Sequence, residues 1–311
     1  MLKYLMKTRL AFSILICIVI VCSIETSANA QLSGFHSAYY QNQYLVNPSF
    51  AGLEEGLTLN TGFQQQWSSM PGSPTMQNFS ADYNAGNNVG LGLLVNADQA
   101  GLISRTRVMG TYAYHLPVNQ DETSRINFGI SLGISDSYLD YTRIVGDQGD
   151  IAAQNFNQRT IYTDGDLGLS YTSERINVQV ALPNLRSVFF ANNAENLEVD
   201  RATFYTALSY RTTVDNGYSN YSIEPKLAYR GVKGFSNILD IGVNFIMSDY
   251  ELSLSGIYHS NESVTLAAGF SPGKFGLLFA YNINSGPLSG YAQNTFEVGL
   301  KFRLIKEKKW F

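Results

Sequence analysis

Few residues in this sequence could do chemistry, and the context of each argues against it. Gly129-Ile130-Ser131-Leu132-Gly133 has the G-x-S-x-G spacing of a nucleophile elbow. That chemistry needs a strand turning sharply into a helix, so that the serine is exposed at the bend. Here Ser131 alternates with Ile130 and Leu132, the pattern of a residue in mid-strand. None of the histidines, His36, His115 and His259, has metal-ligand spacing to another donor. His115 and His259 fall near expected strand ends, where a polar rim residue is ordinary. Asp164-Gly165-Asp166 offers two carboxylates but lacks the spaced ligands and closing Glu of a calcium loop. Gly90-Leu91-Gly92 lacks the third glycine and the helix of a dinucleotide site. Sequons at Asn78, Asn220 and Asn261 mean little if the secretory leader described below is bacterial. No catalytic, metal or cofactor site is expected, and the chain reads as a non-enzyme.

The elements that hold these residues are strands. Leu57, Leu59, Thr61 and Phe63 alternate with Thr58, Asn60, Gly62 and Gln64. The same period of two runs through Gln77–Tyr83, Val89–Val95, Val108–Tyr114, Ile126–Ile134, Leu167–Tyr171, Ile176–Leu182, Phe204–Tyr210, Ile223–Tyr229, Leu239–Phe245, Leu252–Tyr258, Val264–Phe270, Phe275–Tyr281 and Phe296–Leu304. That makes about fourteen strands, each with one apolar face. Short turns such as Ser173-Glu174-Arg175 and Ser271-Pro272-Gly273 separate some of them. Long polar loops (136–160, 183–200, 282–293) separate others. Short turns alternating with long loops are the pattern of an outer-membrane barrel.

The ends and the composition agree. Lys3, Lys7 and Arg9 precede an apolar run from Ala11 to Cys22, and Ala28-Asn29-Ala30 is an A-x-A cleavage site, so residues 1–30 are expected to be a secretory signal peptide. Cys17 and Cys22 follow bulky Ile16 and Val21, where a lipid-attachment site takes a small residue. Both cysteines lie in this leader, so no disulfide or thiolate site is expected in the rest of the chain. Without Lys3, Lys7, Arg9 and Glu25, the 21 basic and 25 acidic residues become 18 and 24, a net of −6, which argues against a nucleic-acid partner. Charged residues make up only 15%, against about 25% in ordinary globular domains. A soluble β-sandwich would also alternate, but its outer face is normally rich in Lys, Glu and Asp. Here the polar face is mostly Gly, Ser, Thr, Asn and Gln. The fold expected is all-β: a transmembrane antiparallel barrel of residues 56–311, apolar outward to outer-membrane lipid and polar inward.

Charges on those polar faces are therefore expected to point into the lumen: Arg105, Arg107, Arg201, Arg211, Glu224, Lys226, Arg230, Glu297, Lys301 and Arg303. They could fill it as a salt-bridged network, line a conduit for a solute, or receive a docking peptide. Residues 31–55 precede the first strand and include the least ordinary stretch, YYQNQYLVNPSFAG from Tyr39. Asn47-Pro48 disfavours helix at Asn47 and interrupts any strand ladder. Ala51-Gly52 permits a tight turn. Aromatic faces mixed with amides suit a compact segment against a polar wall, either a lumen plug or a partner-facing periplasmic patch. Tyr40, Gln43, Tyr44, Asn47, Pro48 and Gly52 are its candidate contact residues.

This stretch resembles the "QY…N…NPAYAG" signature of the PorP/SprF family of type IX secretion system membrane proteins. The resemblance continues in order through Gln65-Gln66-Trp67 with Pro71, Pro74 and Gln77, through Gly90-Leu91-Gly92 to Arg105-Thr106, and through Tyr112-Ala113-Tyr114-His115 and Ala181-Leu182-Pro183-Asn184-Leu185. Glu297 matches the closing "HE" pair, where Phe296 stands in place of the His. The resemblance implies a non-enzymatic outer-membrane barrel tied to export or cell-surface attachment of secreted cargo, including gliding adhesins in some members. The implied partners are a cargo protein with a C-terminal type IX secretion domain and other secretion-machinery components. A channel for hydrophobic or small polar solutes would share the fold and is the alternative.

Overall fold

The computed structural model describes residues 38–67, 72–140, 161–186, 202–215, 220–232, 236–285 and 294–304. The expected leader, His36, Arg201 and most of the three long loops lie outside the described residues. The strands are β1 (Leu57–Gln65), β2 (Thr75–Gly86), β3 (Val89–Ala100), β4 (Ile103–Pro117), β5 (Arg125–Leu139), β6 (Ile161–Thr172), β7 (Ile176–Leu182), β8 (Ala202–Tyr210), β9 (Thr212–Asp215), β10 (Asn220–Val232), β11 (Ile238–Met247), β12 (Leu252–His259), β13 (Ser263–Phe270), β14 (Phe275–Asn284) and β15 (Thr295–Leu304).

Each strand pairs antiparallel with its neighbours, and β15 pairs back onto β1 from Leu57↔Leu304 to Gln65↔Phe296. The sheet is thereby closed, and no edge is left to satisfy in lipid. β8 and β9 both pair with β10, through Leu227↔Leu208 and Ile223↔Thr212. They are two halves of one strand interrupted at Arg211, so the barrel has 14 strands.

Burial is inverted relative to a soluble protein. In β5, Phe128, Ile130 and Leu132 are 48%, 42% and 65% exposed, while Asn127, Ser131 and Ser135 are at most 2% exposed. The outer surface is a continuous apolar band that lipid must cover, since water would not tolerate it at this extent. Aromatic contacts mark both rims of the band. Phe275 lies 4.9 Å from Phe302 at the end with the β13–β14 turn, and Phe63–Phe296 and Phe204–Tyr229 pair at 5.9 and 5.4 Å at the other end. Such girdles sit at the lipid headgroups. The start of β1, the end of β15 and the short β2–β3, β6–β7, β11–β12 and β13–β14 turns share one end, which is the periplasmic end in this architecture; the short β3–β4 and β12–β13 turns lie at the other. The β2–β3 turn, Asn87-Asn88, has positive φ at both residues (51° and 63°), as a tight hairpin turn of this hand requires.

Ahead of β1, the chain forms a helical turn (Ala38–Gln41) and two 3-10 turns (Gln43–Leu45 and Pro48–Phe50). The three turns lie inside the barrel, against strands β3 to β13.

Candidate functional site: the inner segment and two vestibules

The inner segment is fixed residue by residue to the wall. Asn47 is extended (φ −144°, ψ 111°), as a residue before proline should be. Its side-chain oxygen accepts the Ser49 N–H (3.0 Å), capping the turn that Pro48 opens. Its amide nitrogen turns outward, within 3.4 to 3.5 Å of Gln179 Oε1, Val180 O and Leu169 O. Ser49 donates to Ser170 (2.9 Å). Gln43 Oε1 accepts from Asn177 (2.9 Å) and Gln179 (2.8 Å). The Tyr44 hydroxyl donates to Thr111 (2.7 Å), which shares a further 2.7 Å bond with Ser131. The serine of the G-x-S-x-G match is thus one link in a hydroxyl chain that seats Tyr44. Burial pushes the Tyr39, Tyr40 and Tyr44 phenols above their usual range, so each stays neutral, and Tyr39 and Tyr44 remain able to donate.

The ends of the segment are held by buried histidine networks. At one end the Tyr39 hydroxyl donates to Asp240 (2.9 Å), and its ring packs edge-on against Tyr205 at 5.8 Å. Asp240 also binds Arg230 (2.9 Å) and His259 Nδ1 (2.6 Å). Lys226 sits 4.4 Å over the Tyr40 ring, a cation–π contact inside the lumen. At the other end His115 Nε2 donates to the Ala51 carbonyl (3.0 Å). The Gly52 N–H reaches Asp82 (3.2 Å), and its carbonyl accepts from Asn84 (2.9 Å). Gly52 has φ +66°, and a Cβ there would meet the backbones of Tyr83 and Gly90. Glu54 then pairs with Lys301 (3.1 Å) and Arg303 (2.6 Å) at the periplasmic mouth.

The histidines correct one reading of the sequence. They are not rim residues: His115 and His259 are both fully buried and face inward. Asp240, His259 and Thr265 even stand in the order of an acid–base–nucleophile relay, with His259 Nε2 2.8 Å from Thr265 Oγ1. Thr265 is 1% exposed and its hydroxyl also accepts from Asn282 (2.8 Å), so no face is left for a substrate to approach. The trio fixes Asp240, which in turn holds Tyr39.

Wall glycines complete the fit. A Cβ on Gly90 would overlap Ala51 O; on Gly92, the Tyr44 hydroxyl; on Gly129, the backbone of Pro48 and Ser49; on Gly168, Asn47 Oδ1; and on Gly242, the Tyr40 hydroxyl. Their strand geometry needs no glycine, since none has positive φ. They are small because the inner segment lies there. Sequence reasoning missed these sockets and Asp240. Glycine recurring at inward positions was the available signal.

The other singled-out charges sort as follows. Arg107 binds Asp166 (2.7 Å) and Asp164 (3.1 Å), whose oxygens also cap the N–H groups of Asn184 (2.9 Å) and Arg186 (3.1 Å). This ties the start of the β7–β8 connection to the wall. Glu224 accepts from Arg211 (2.7 Å) and Ser209 (2.7 Å). Arg105 stands opposite Asp98 in the β3–β4 register. Glu297 is buried on β15 opposite Gln64.

The segment divides the lumen into two vestibules. A cavity of about 200 Å³ on the outer side has Leu45, Val46, Asn47 and Pro48 as its floor. A second of about 210 Å³ opens on the periplasmic side, with Gln41, Asn42 and Gln43 as its roof and Glu174, Arg175, Arg211 and Lys301 on its walls.

Solved barrels share this outline only loosely. The Acinetobacter baumannii outer membrane protein Omp33 is 10% identical with a TM-score of 0.44, covering 81% of this chain and 100% of its own. The P. putida toluene transporter TodX is 9% identical with a TM-score of 0.47, covering 86% and 95%. The CymD monoaromatic hydrocarbon channel is 14% identical with a TM-score of 0.43, covering 90% and 95%. No curated protein matches the chain. A family model does, across residues 28–302, and so takes in both the inner segment and every strand of the barrel. An outer-membrane barrel matched over that whole span belongs to the PorP/SprF family of type IX secretion system membrane proteins.

Proposed function

We propose that this barrel works by binding, as a plugged outer-membrane receptor that supports export or surface anchoring of a secreted, gliding adhesin-like protein through that protein's C-terminal secretion domain. The observation that carries the reading is the inner segment. Tyr39 to Gly52 is bonded to the wall at both ends and seated in glycine sockets between, so the lumen is filled rather than left as a path. A barrel so filled offers its outer loops and outer vestibule as a docking surface, and its periplasmic vestibule to secretion-machinery components. The contribution of Tyr40, Gln43, Tyr44, Asn47, Pro48 and Gly52 is to keep that surface in one shape, which lowers the ordering cost of docking. Lys226 and, through Asp240, Arg230 hold the segment to the wall, Arg107 braces the carboxylates that cap the start of the β7–β8 connection, and Glu224 ties Ser209 to Arg211 within the wall.

The test is deletion of the gene followed by quantitative proteomics of cell surface against medium. Loss of one or a few large secreted proteins from the surface supports the reading and names the cargo. An unchanged secreted set, together with single-channel conductance of the purified barrel, would move the solute channel to the front.

A further inference from the structure

The inner segment closes the lumen unevenly. On the β8–β10 side the wall between the two vestibules is short. Along β8 only Ala207 faces inward between Tyr205, at the outer vestibule, and Ser209, at the periplasmic one. Along β10 only Ala228 and Lys226 face inward between Arg230 and Glu224. The wall at this depth is built of small residues, Ala181, Ala207 and Ala228, and the space in front of them is filled by the rings of Tyr39 and Tyr40 with Val46. Tyr39 borders the outer vestibule and Gln41 the periplasmic one. The single turn Ala38–Gln41 is therefore the partition in this sector.

That turn is also the least firmly held part of the segment. From Asn42 onward the chain is pinned: Asn42 donates to Ser80 (2.8 Å), Gln43 accepts from Asn177 and Gln179, and the sockets at Gly90 and Gly129 close on backbone atoms of Ala51, Pro48 and Ser49. The turn itself has one hydrogen bond to the wall among the described residues, from the Tyr39 hydroxyl to Asp240 (2.9 Å). Its sockets at Gly242 and Gly269 close only on its side-chain tips, the Tyr40 hydroxyl and the Gln41 amide. Seating it leaves the buried hydroxyls of Tyr40 and Tyr205 without a hydrogen-bond partner among the described residues. It also covers the Lys226 ammonium with two aromatic rings, 4.4 and 5.4 Å away, where water would otherwise reach. Orphaned buried hydroxyls are costly, and an unseated turn returns both to water. Asn42, with φ −116° and ψ 87°, is the non-helical joint between the turn and the pinned chain.

We propose that the Ala38–Gln41 turn is a gate, which swings about Asn42 and joins the two vestibules into one aqueous path for small ions past Ala207 and Ala228. Residues 42 to 52 stay seated as its frame. The gate is independent of the receptor reading: surface proteomics decides that reading, and electrical recording decides this one.

The experiment records single purified barrels in planar lipid bilayers bathed in KCl. The expected result is brief openings in the parent and a roughly fivefold larger open fraction in Tyr39→Phe, the effect of one hydrogen bond. Tyr39→Ala with Tyr40→Ala should stay open. Ser253 Oγ and the Gln41 amide nitrogen converge on the Gly269 socket, 2.4 and 2.6 Å from where a Cβ would lie, so the turn can be tied to the wall there. Gln41→Cys with Ser253→Cys, in a chain whose Cys17 and Cys22 are replaced by Ser, should fall silent when the two thiols are joined by a short bismaleimide and open like the parent when they are not. A parent without openings, an open fraction unchanged in Tyr39→Phe, or joined barrels that open as often as unjoined ones would overturn the gate. Heat-modifiable migration of each variant confirms that the barrel has folded.

Discussion

Replacing Gly129 with Ala tests the seating of the inner segment without touching that segment. The new Cβ would overlap the backbone of Pro48 and Ser49, which cannot swing aside as the tip of a side chain could. Gly129 has no positive φ, so the strand accepts Ala and gains about 0.5–1 kcal/mol from the loss of a glycine. Overpacking against the segment costs about 1–3 kcal/mol. The two effects fall on different equilibria: the barrel is made no less stable, while the seated segment becomes less favoured. A cost of about 1–3 kcal/mol raises the displaced population roughly 5–150-fold. The two native cysteines are Cys17 and Cys22, so Ser49→Cys provides a unique thiol in a chain in which both are replaced by Ser. Ser49 is fully buried, and its maleimide labelling rate in outer-membrane preparations reports the displaced fraction. Gly129→Ala should raise that rate within the stated range. Gly110→Ala, whose Cβ would find its nearest neighbour at 3.9 Å, should not. Equal labelling of Gly129→Ala and the parent, or an equal rise with Gly110→Ala, would refute the argument that the glycines exist for the segment.

Three further outcomes follow from the same contacts. Asp240→Ala strands the buried Arg230 and should cost about 3–5 kcal/mol, whereas Tyr39→Phe removes one hydrogen bond worth about 1 kcal/mol; urea unfolding of the refolded barrel, read by gel mobility, ranks the two. Leu132→Arg, at the middle of β5 on the lipid face, should cost about 2–4 kcal/mol, while Ile161→Arg at the outer end of β6 should cost about 0–1 kcal/mol; the same unfolding measurement in lipid compares them. Asn47→Ala with Pro48→Ala removes a cap and a preset turn and should lower cargo retention at the surface while barrel levels in outer-membrane fractions hold, and absence of the barrel from those fractions would make the segment a folding element instead.

The barrel was legible because period two is a backbone property. Alternation in β5 from Ile126 to Ile134 assigns each side chain to one of two faces whatever the strand's neighbours are. A polar face made mostly of Gly, Ser, Thr, Asn and Gln, with few charges, then separates a lumen from water. The break at Arg211 was not legible, since β9 (Thr212–Asp215) is too short and polar to show a period and only the shared partner β10 joins it to β8. Histidines at strand ends read as rim residues because position along a strand gives depth in the membrane but not what fills the lumen at that depth.

By itself, the sequence determined the class of fold, the lipid-facing set, a strand number of about fourteen and the odd character of Tyr39 to Gly52. These depend on local pattern and composition, which need no knowledge of distant contacts. Only the tertiary structure decided that Tyr39 to Gly52 lies inside the barrel. It alone brought Asp240 to Tyr39 across 201 positions and showed which glycines are sockets. The physical reason is closure: once β15 pairs with β1, residues from strands far apart in the chain face one enclosed space, and what they touch is set by the ring and not by the order of the residues.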